Sequence, residues 1–152
     1  MKRYLAPVVL PALLAFFASC TNVGEIIATG LEVEITGIQR AGDHEAEVSW
    51  RLKNPNVVSY LFSHITHKIR LNGTPLGTID EKDALALPAK SDSEHTGKLT
   101  GLDPAASRAL ADAAIAGSAS YQIDTELTVL IYDDNKEKSL LSGSGSVTVK
   151  NK

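Results

Sequence analysis

From residue 31 onward, apolar side chains recur at every second position. In "LEVEITGI", Leu31, Val33 and Ile35 alternate with Glu32, Glu34 and Thr36. In "HEAEVSWRL", Ala46, Val48, Trp50 and Leu52 alternate with Glu45, Glu47, Ser49 and Arg51. "HITHKIRL" sets Ile65, His67, Ile69 and Leu71 against His64, Thr66, Lys68 and Arg70. "YQIDTELTVLIY" puts Tyr121, Ile123, Thr125, Leu127, Val129 and Ile131 on one side, and "GSVTVK" does the same for Val147 and Val149. A period of two is the mark of strands with one face buried and one in water. The punctuation agrees. Asn72-Gly73 predicts a two-residue hairpin turn, because both residues tolerate positive φ. Residues 133–136, "DDNK", predict another turn. Pro55 cannot donate to a ladder, so a strand should end at Asn54-Pro55-Asn56. One segment breaks the period. "DPAASRALADAAIAG" offers Asp103 as N-cap, Pro104 at the first helical position and Gly117 as the stop. Ala106, Leu110, Ala113 and Ala114 would form a narrow stripe that packs a short helix on the sheet. The expected architecture is therefore mainly β, with about seven strands in two antiparallel sheets and one inserted helix.

The chain begins differently. Met1-Lys2-Arg3 is followed by an uncharged run, "YLAPVVLPALLAFF", and then by Ala18 and Ser19. A basic start, an apolar middle and small residues at the end make an export signal. The run is short for a membrane span, which needs about 20 residues, and Pro7 and Pro11 weaken it as a helix. The single cysteine, Cys20, stands where such a signal is cut. "FASC" resembles the bacterial lipobox, with Phe17 departing from the usual leucine. The resemblance implies a diacylglyceryl thioether on Cys20, cleavage before it and acylation, for example by palmitate, of the new amine. Two or three chains give stable anchoring where one does not, since each buried methylene adds about 0.8 kcal/mol. Thr21, not aspartate, follows the cysteine. In a host with two membranes the lipobox pattern then favours the outer one, with the protein facing the periplasm. The expected organisation is a lipoprotein signal peptide over 1–19, a lipid-anchored tether over 20–30 and one domain over 31–150.

Charge excludes one class of partner. The chain carries 15 Lys and Arg against 18 Asp and Glu. Loss of the first 19 residues removes Lys2 and Arg3 and no acid, which deepens the net charge from −3 to −5. A nucleic-acid binder would show a basic face, so none is expected. The remaining length suits one domain with a real core.

The second and third strands carry a family resemblance. "VSWRLKNPNVVSYLFSHITHKIRLNGTPLGT", residues 48–78, is similar to the WHy domain of the late embryogenesis abundant (LEA type 2-like) proteins and their bacterial relatives. The matching pieces are Asn54-Pro55-Asn56, Asn72-Gly73, Leu76-Gly77 and Leu87-Pro88-Ala89. The likeness spans residues 31–149 and is sharp over 48–90. It implies an immunoglobulin/fibronectin III-like β-sandwich with one helix, and a role in stress protection or partner binding without catalysis. Gly97 and the polar "SDSEHTGK" depart from it, giving a weak strand near residue 95.

The candidate chemistry is thin. His44, His64, His67 and His95 could ligate a metal, but the two rings of "HxxH" at 64 and 67 point to opposite faces of a strand. Surface or boundary histidines are the expectation, with no metal and no cofactor. Asp133, Asp134 and Asn135 lack the alternation and closing Glu of a calcium loop. "SGSGSVT", residues 142–148, lacks the lysine and helix of a phosphate loop, so its glycines signal a bulge or close packing. No G-x-S-x-G elbow occurs. Asn54, Pro55 and Asn56 could be a recognition corner, but a bend stapled by Asn side chains is favoured. Trp50 is expected to anchor the core. No enzymatic activity is expected. The function expected is that of a membrane-anchored, non-catalytic module of the cell envelope, protecting against desiccation or envelope stress or binding a protein or lipid partner. The alternative is a carrier of lipid or a small apolar ligand.

Overall fold

The computed structural model describes residues 29–131 and 135–152. The expected signal peptide and most of the expected tether, Cys20 included, lie outside them, as do Asp133 and Asp134 of the expected turn. Eight strands and one helix follow in chain order: β1 (Glu32–Arg40), β2 (Glu45–Asn54), β3 (Tyr60–Leu71), β4 (Thr74–Glu81), β5 (Leu85–Leu87), β6 (Ser91–Thr100), α1 (Pro104–Ala116), β7 (Ser118–Leu130) and β8 (Lys136–Asn151).

The alternating residues point where the period placed them. Val33, Ile35, Ala46, Val48, Trp50, Leu52, Ile65, Ile69, Leu71, Ile123, Leu127, Val129, Val147 and Val149 are all buried in one core. Three register shifts interrupt the ladders, one of them in the β3–β4 pair between Ile69 and Arg70. The other two shift the phase. A register slip between Ile35 and Gly37 lets Ile38 face inward after Ile35. A second, between Phe62 and His64, does the same for Phe62 and Ile65. An extra residue in one strand turns the following side chains to the other face. In the β3–β4 hairpin Leu71 pairs with Thr74, leaving Asn72 (φ 48) and Gly73 (φ 82) as the turn. The helix begins on Asp103, whose side chain accepts from the Ala106 amide at 2.8 Å, and stops at Gly117 (φ 79). Its buried residues are Ala106, Leu110 and Ala113, with Ala114 packed beside them.

The sheet arrangement differs from the expected pair of antiparallel sheets. Hydrogen bonding runs in one path, β4-β3-β7-β8-β1-β2-β6, with β5 on the edge of β3. The strands number eight, and β1 and β8 run parallel through Ile38–Arg40 and Val149–Asn151. The cause is the length of β8. Its sixteen residues pair with β7 from Lys136 to Thr148 and still reach β1 at the far end. The path curls into a half-barrel, so that β4 packs over β6. β6, weak in side chains, makes a full ladder with β2 from Ser91 to Thr100. Gly97 is where β4 closes over it: a Cβ there would lie 2.4 Å from Ile79 Cγ2.

The half-barrel has two unlike ends. At one, α1 packs near the Asn72 turn and the start of β7, with the Leu102 amide donating to the His44 carbonyl at 3.2 Å. At the other lie Gly30, the corner 54–60, Leu87 and the tip of the β7–β8 hairpin.

Candidate functional site

The Asn54 corner is a staple. Asn54 is buried at the end of β2, and its Nδ2 donates to the carbonyls of Val58 and Pro88, both at 2.8 Å. Its Oδ1 accepts from the Asn56 amide at 3.0 Å, the Asx turn that favours Asn before such a bend. Asn56 looks outward and backward along the chain. Its Nδ2 donates to the Thr29 carbonyl at 2.9 Å and to Tyr60 Oη at 3.2 Å. The corner therefore fastens Thr29, just before β1, to the domain. Asn72 works similarly at the other end, where its Oδ1 accepts from the amide and the hydroxyl of Ser120, each at 3.0 Å.

The histidines part company. His64 is half-exposed and pairs with Asp80, whose carboxyl is held below its ordinary range by the His64 hydrogen bond first and Thr66 second. His44 Nδ1 sits 3.0 Å from the Leu102 carbonyl. His67, expected as a surface or boundary histidine, is neither. It is fully buried on the inner face of β3, because Ile65, Ile69 and Leu71 share its parity and carry it inward. Its Nδ1 meets Thr125 Oγ1 at 2.7 Å, another polar residue buried by its neighbours' period. Desolvation, then the charge of His95, push its pKa down to about 4, so the ring is neutral at neutral pH.

Trp50 lies between two of these rings. His67 is 4.2 Å from it, centroid to centroid and tilted, and His95 is stacked at 4.8 Å. Among the described residues, Trp50 Nε1 and His67 Nε2 have no hydrogen-bond partner. Beside them a cleft of about 340 Å³ opens between the β4–β5 connection and β6, lined by Trp50, Glu81, Asp83, Leu85, Ser93 and His95. Ser93 Oγ is 2.6 Å from His95 Nε2. Trp50, His67 and His95 are on three different strands, so their spacing in sequence could not announce the stack. The parity of His67 with its apolar neighbours was the available signal.

The outer face of β1, β2 and β6 is charged and solvated. Arg51 bridges Glu34 and Glu94 at 3.1 and 3.3 Å, and Lys53 meets Glu34 at 2.8 Å. Glu94 is held below its ordinary range by Thr36 first and then Arg51. Such exposed pairs add little to stability. Among the described residues no group of three His, Cys, Asp or Glu side chains is placed to hold a metal ion, and no helix is long and apolar enough to cross a membrane.

No protein family's sequence pattern matches this chain, and no characterised protein sequence does. Solved structures are similar to it. A solution structure from Arabidopsis thaliana, AT1g01470, is 15% identical over 78% of each chain, with a TM-score of 0.55. A protein from Archaeoglobus fulgidus is 14% identical over 79% of this chain and 95% of its own, with a TM-score of 0.48. A candidate late embryogenesis abundant protein, At2g46140.1, is 15% identical over 81% of this chain and 73% of its own, with a TM-score of 0.47. The chain shares its fold with the first of these, a mainly β domain with one helix.

Proposed function

We propose that this chain is an exported lipoprotein whose β-domain, held at a membrane of the cell envelope through lipid on Cys20, acts by surface contact and without catalysis. Its task would be protection against desiccation, osmotic or envelope stress, as the likeness of residues 48–90 to the WHy domain implies. The observation that carries the reading is the placing of the only cysteine. It follows a basic start, an apolar run and the pair Ala18-Ser19, and nine residues later the chain is fastened to the domain at Thr29. The shared fold supports the mainly β domain of that reading. The sandwich of immunoglobulin/fibronectin III type implied by the resemblance is best read as a curled relative of it, with the β1–β8 pair joining the two layers. A lipid carrier would need free apolar space between the layers. Here Trp50, Phe62, Leu52 and Leu127, all fully buried, occupy that space.

The test is direct. Cells fed a labelled fatty acid should mark the wild-type protein and not Cys20→Ser, and the variant should leave the membrane fraction while its domain stays folded. Equal labelling of both proteins would defeat the lipoprotein reading.

A further inference from the structure

The described residues expose five large hydrophobic side chains, and three of them sit together. Val57 is 78% exposed, Val58 51% and Leu61 43%. They follow the Asn54 corner directly, and beside them runs a shallow apolar groove of about 400 Å³ lined by Val58, Tyr60, Leu61, Val129, Leu130 and Ile131. The other two, Ile115 and Leu140, stand on α1 and on the first third of β8. Exposed apolar residues scattered singly need no explanation, whereas a contiguous group does.

The place of this patch decides what covers it. Asn56, the residue before Val57, holds the Thr29 carbonyl, so the chain enters the domain at the patch. Eight residues separate Thr29 from Cys20. Fully extended, they span at most about 30 Å, and as a flexible coil they span about 15–18 Å. The helix end lies the length of β3 away, about 40 Å. A domain tied at Thr29 thus presents the patch, and not α1, to whatever holds Cys20. Tethering keeps that surface at an effective concentration no free partner would reach.

We infer that Val57, Val58 and Leu61 form a membrane-contact surface that inserts into the acyl boundary of the bilayer and fixes the domain's orientation on it. The inference rests on the lipid anchor proposed above and adds a second, non-covalent contact to it. The ligand is a phospholipid surface. The depth is that of an interfacial element: short apolar side chains at the headgroup–acyl boundary, with the Asn56 and Val58 carbonyls already bonded within the protein.

The experiment uses the lipidated protein, in which Cys20 is blocked by its thioether. Val58→Cys and Ile115→Cys each receive an environment-sensitive fluorophore. The protein is then reconstituted in phosphatidylethanolamine–phosphatidylglycerol vesicles with and without a doxyl-labelled lipid. The label at 58 should shift its emission to the blue and lose most of its intensity to the doxyl lipid, and the label at 115 should do neither. With the label moved to Leu61→Cys, the double substitution Val57→Asp and Val58→Asp should restore the intensity while the protein still floats with the vesicles. A protein that floats with the vesicles while its label at 58 escapes the doxyl lipid would overturn the contact surface and leave the anchor standing. An emission shift without lipid quenching would mean that protein covers the patch, a second copy or a partner, and would overturn it too. Failure to float would overturn the anchor and the surface together.

Discussion

Replacing Gly143 by alanine should destabilise the domain by about 3 kcal/mol or more. Overpacking alone costs about 1–3 kcal/mol, and here the obstacle is backbone, which cannot rotate away. A Cβ at position 143 would lie 2.1 Å from the Val33 carbonyl oxygen and 3.1 Å from Ile123 Cγ2. Gly143 is on β8, opposite Ile123 of β7, and Val33 belongs to β1, so the two halves of the curled sheet meet at this point. Gly37→Ala is the control, because a Cβ there meets nothing within 4 Å. Urea unfolding should show a large drop in midpoint for Gly143→Ala and little change for Gly37→Ala. Equal midpoints would mean that β1 and β8 do not approach as described.

The second large effect is on pH dependence. His67 is fully buried, and its pKa in the folded protein is about 4 against an ordinary 6.5. The unfolded chain therefore takes up its proton first as the pH falls. Stability is whole above about pH 6.5 and drains away as the pH drops from there towards 4. At about 1.4 kcal/mol for each tenfold difference in proton affinity, the loss amounts to up to about 3 kcal/mol. Asp80, Glu94 and Glu126 are held below their ordinary ranges by hydrogen bonds from His64, Thr36 and Lys138 respectively. Their stabilising contributions are lost at still lower pH. His67→Leu keeps the volume and removes the titration. Its unfolding midpoint should change far less between pH 7 and pH 4.5 than that of the wild type. Parallel decline of the two proteins would show that His67 is not the group responsible.

Much of the fold was legible because it is local. Period two identified the inward faces of β1, β2, β3 and β7, and the helix followed from Asp103, Pro104 and Gly117. The turn at Asn72-Gly73 follows from two residues that tolerate positive φ. What the pattern lacked is what depends on partners. Alternation records which face of a strand is apolar, not which strand lies beside it, so the parallel β1–β8 pair and the single curled path were invisible. The bulge after Phe62 breaks the period with no glycine or proline to mark it, and the one after Ile35 has only Gly37, which by itself does not announce a bulge. β6 looked weak because its side chains are polar, yet its ladder comes from the backbone and needs only an aligned neighbour. Gly97 marks the closure of β4 over that strand. His67 followed the parity of Ile65 and Ile69, and its polarity concealed the burial. The apolar patch was passed over because Val57, Val58 and Leu61 fall around a corner, where neither period applies.

The two ends of the half-barrel explain how such a domain could work from a membrane. The Asn54 corner holds the Thr29 carbonyl through Asn56; on the proposed anchoring, that would turn the patch toward the membrane and leave the helix end to the aqueous side. Attachment is the proposal to test in the cell. A strain lacking the protein should lose viability under desiccation or osmotic stress. Wild type should restore it, as should a form carrying His64→Gln and His95→Gln. Cys20→Ser, folded but unanchored, should not. Full rescue by Cys20→Ser, or loss of rescue on changing the two histidines in a folded protein, would contradict the account.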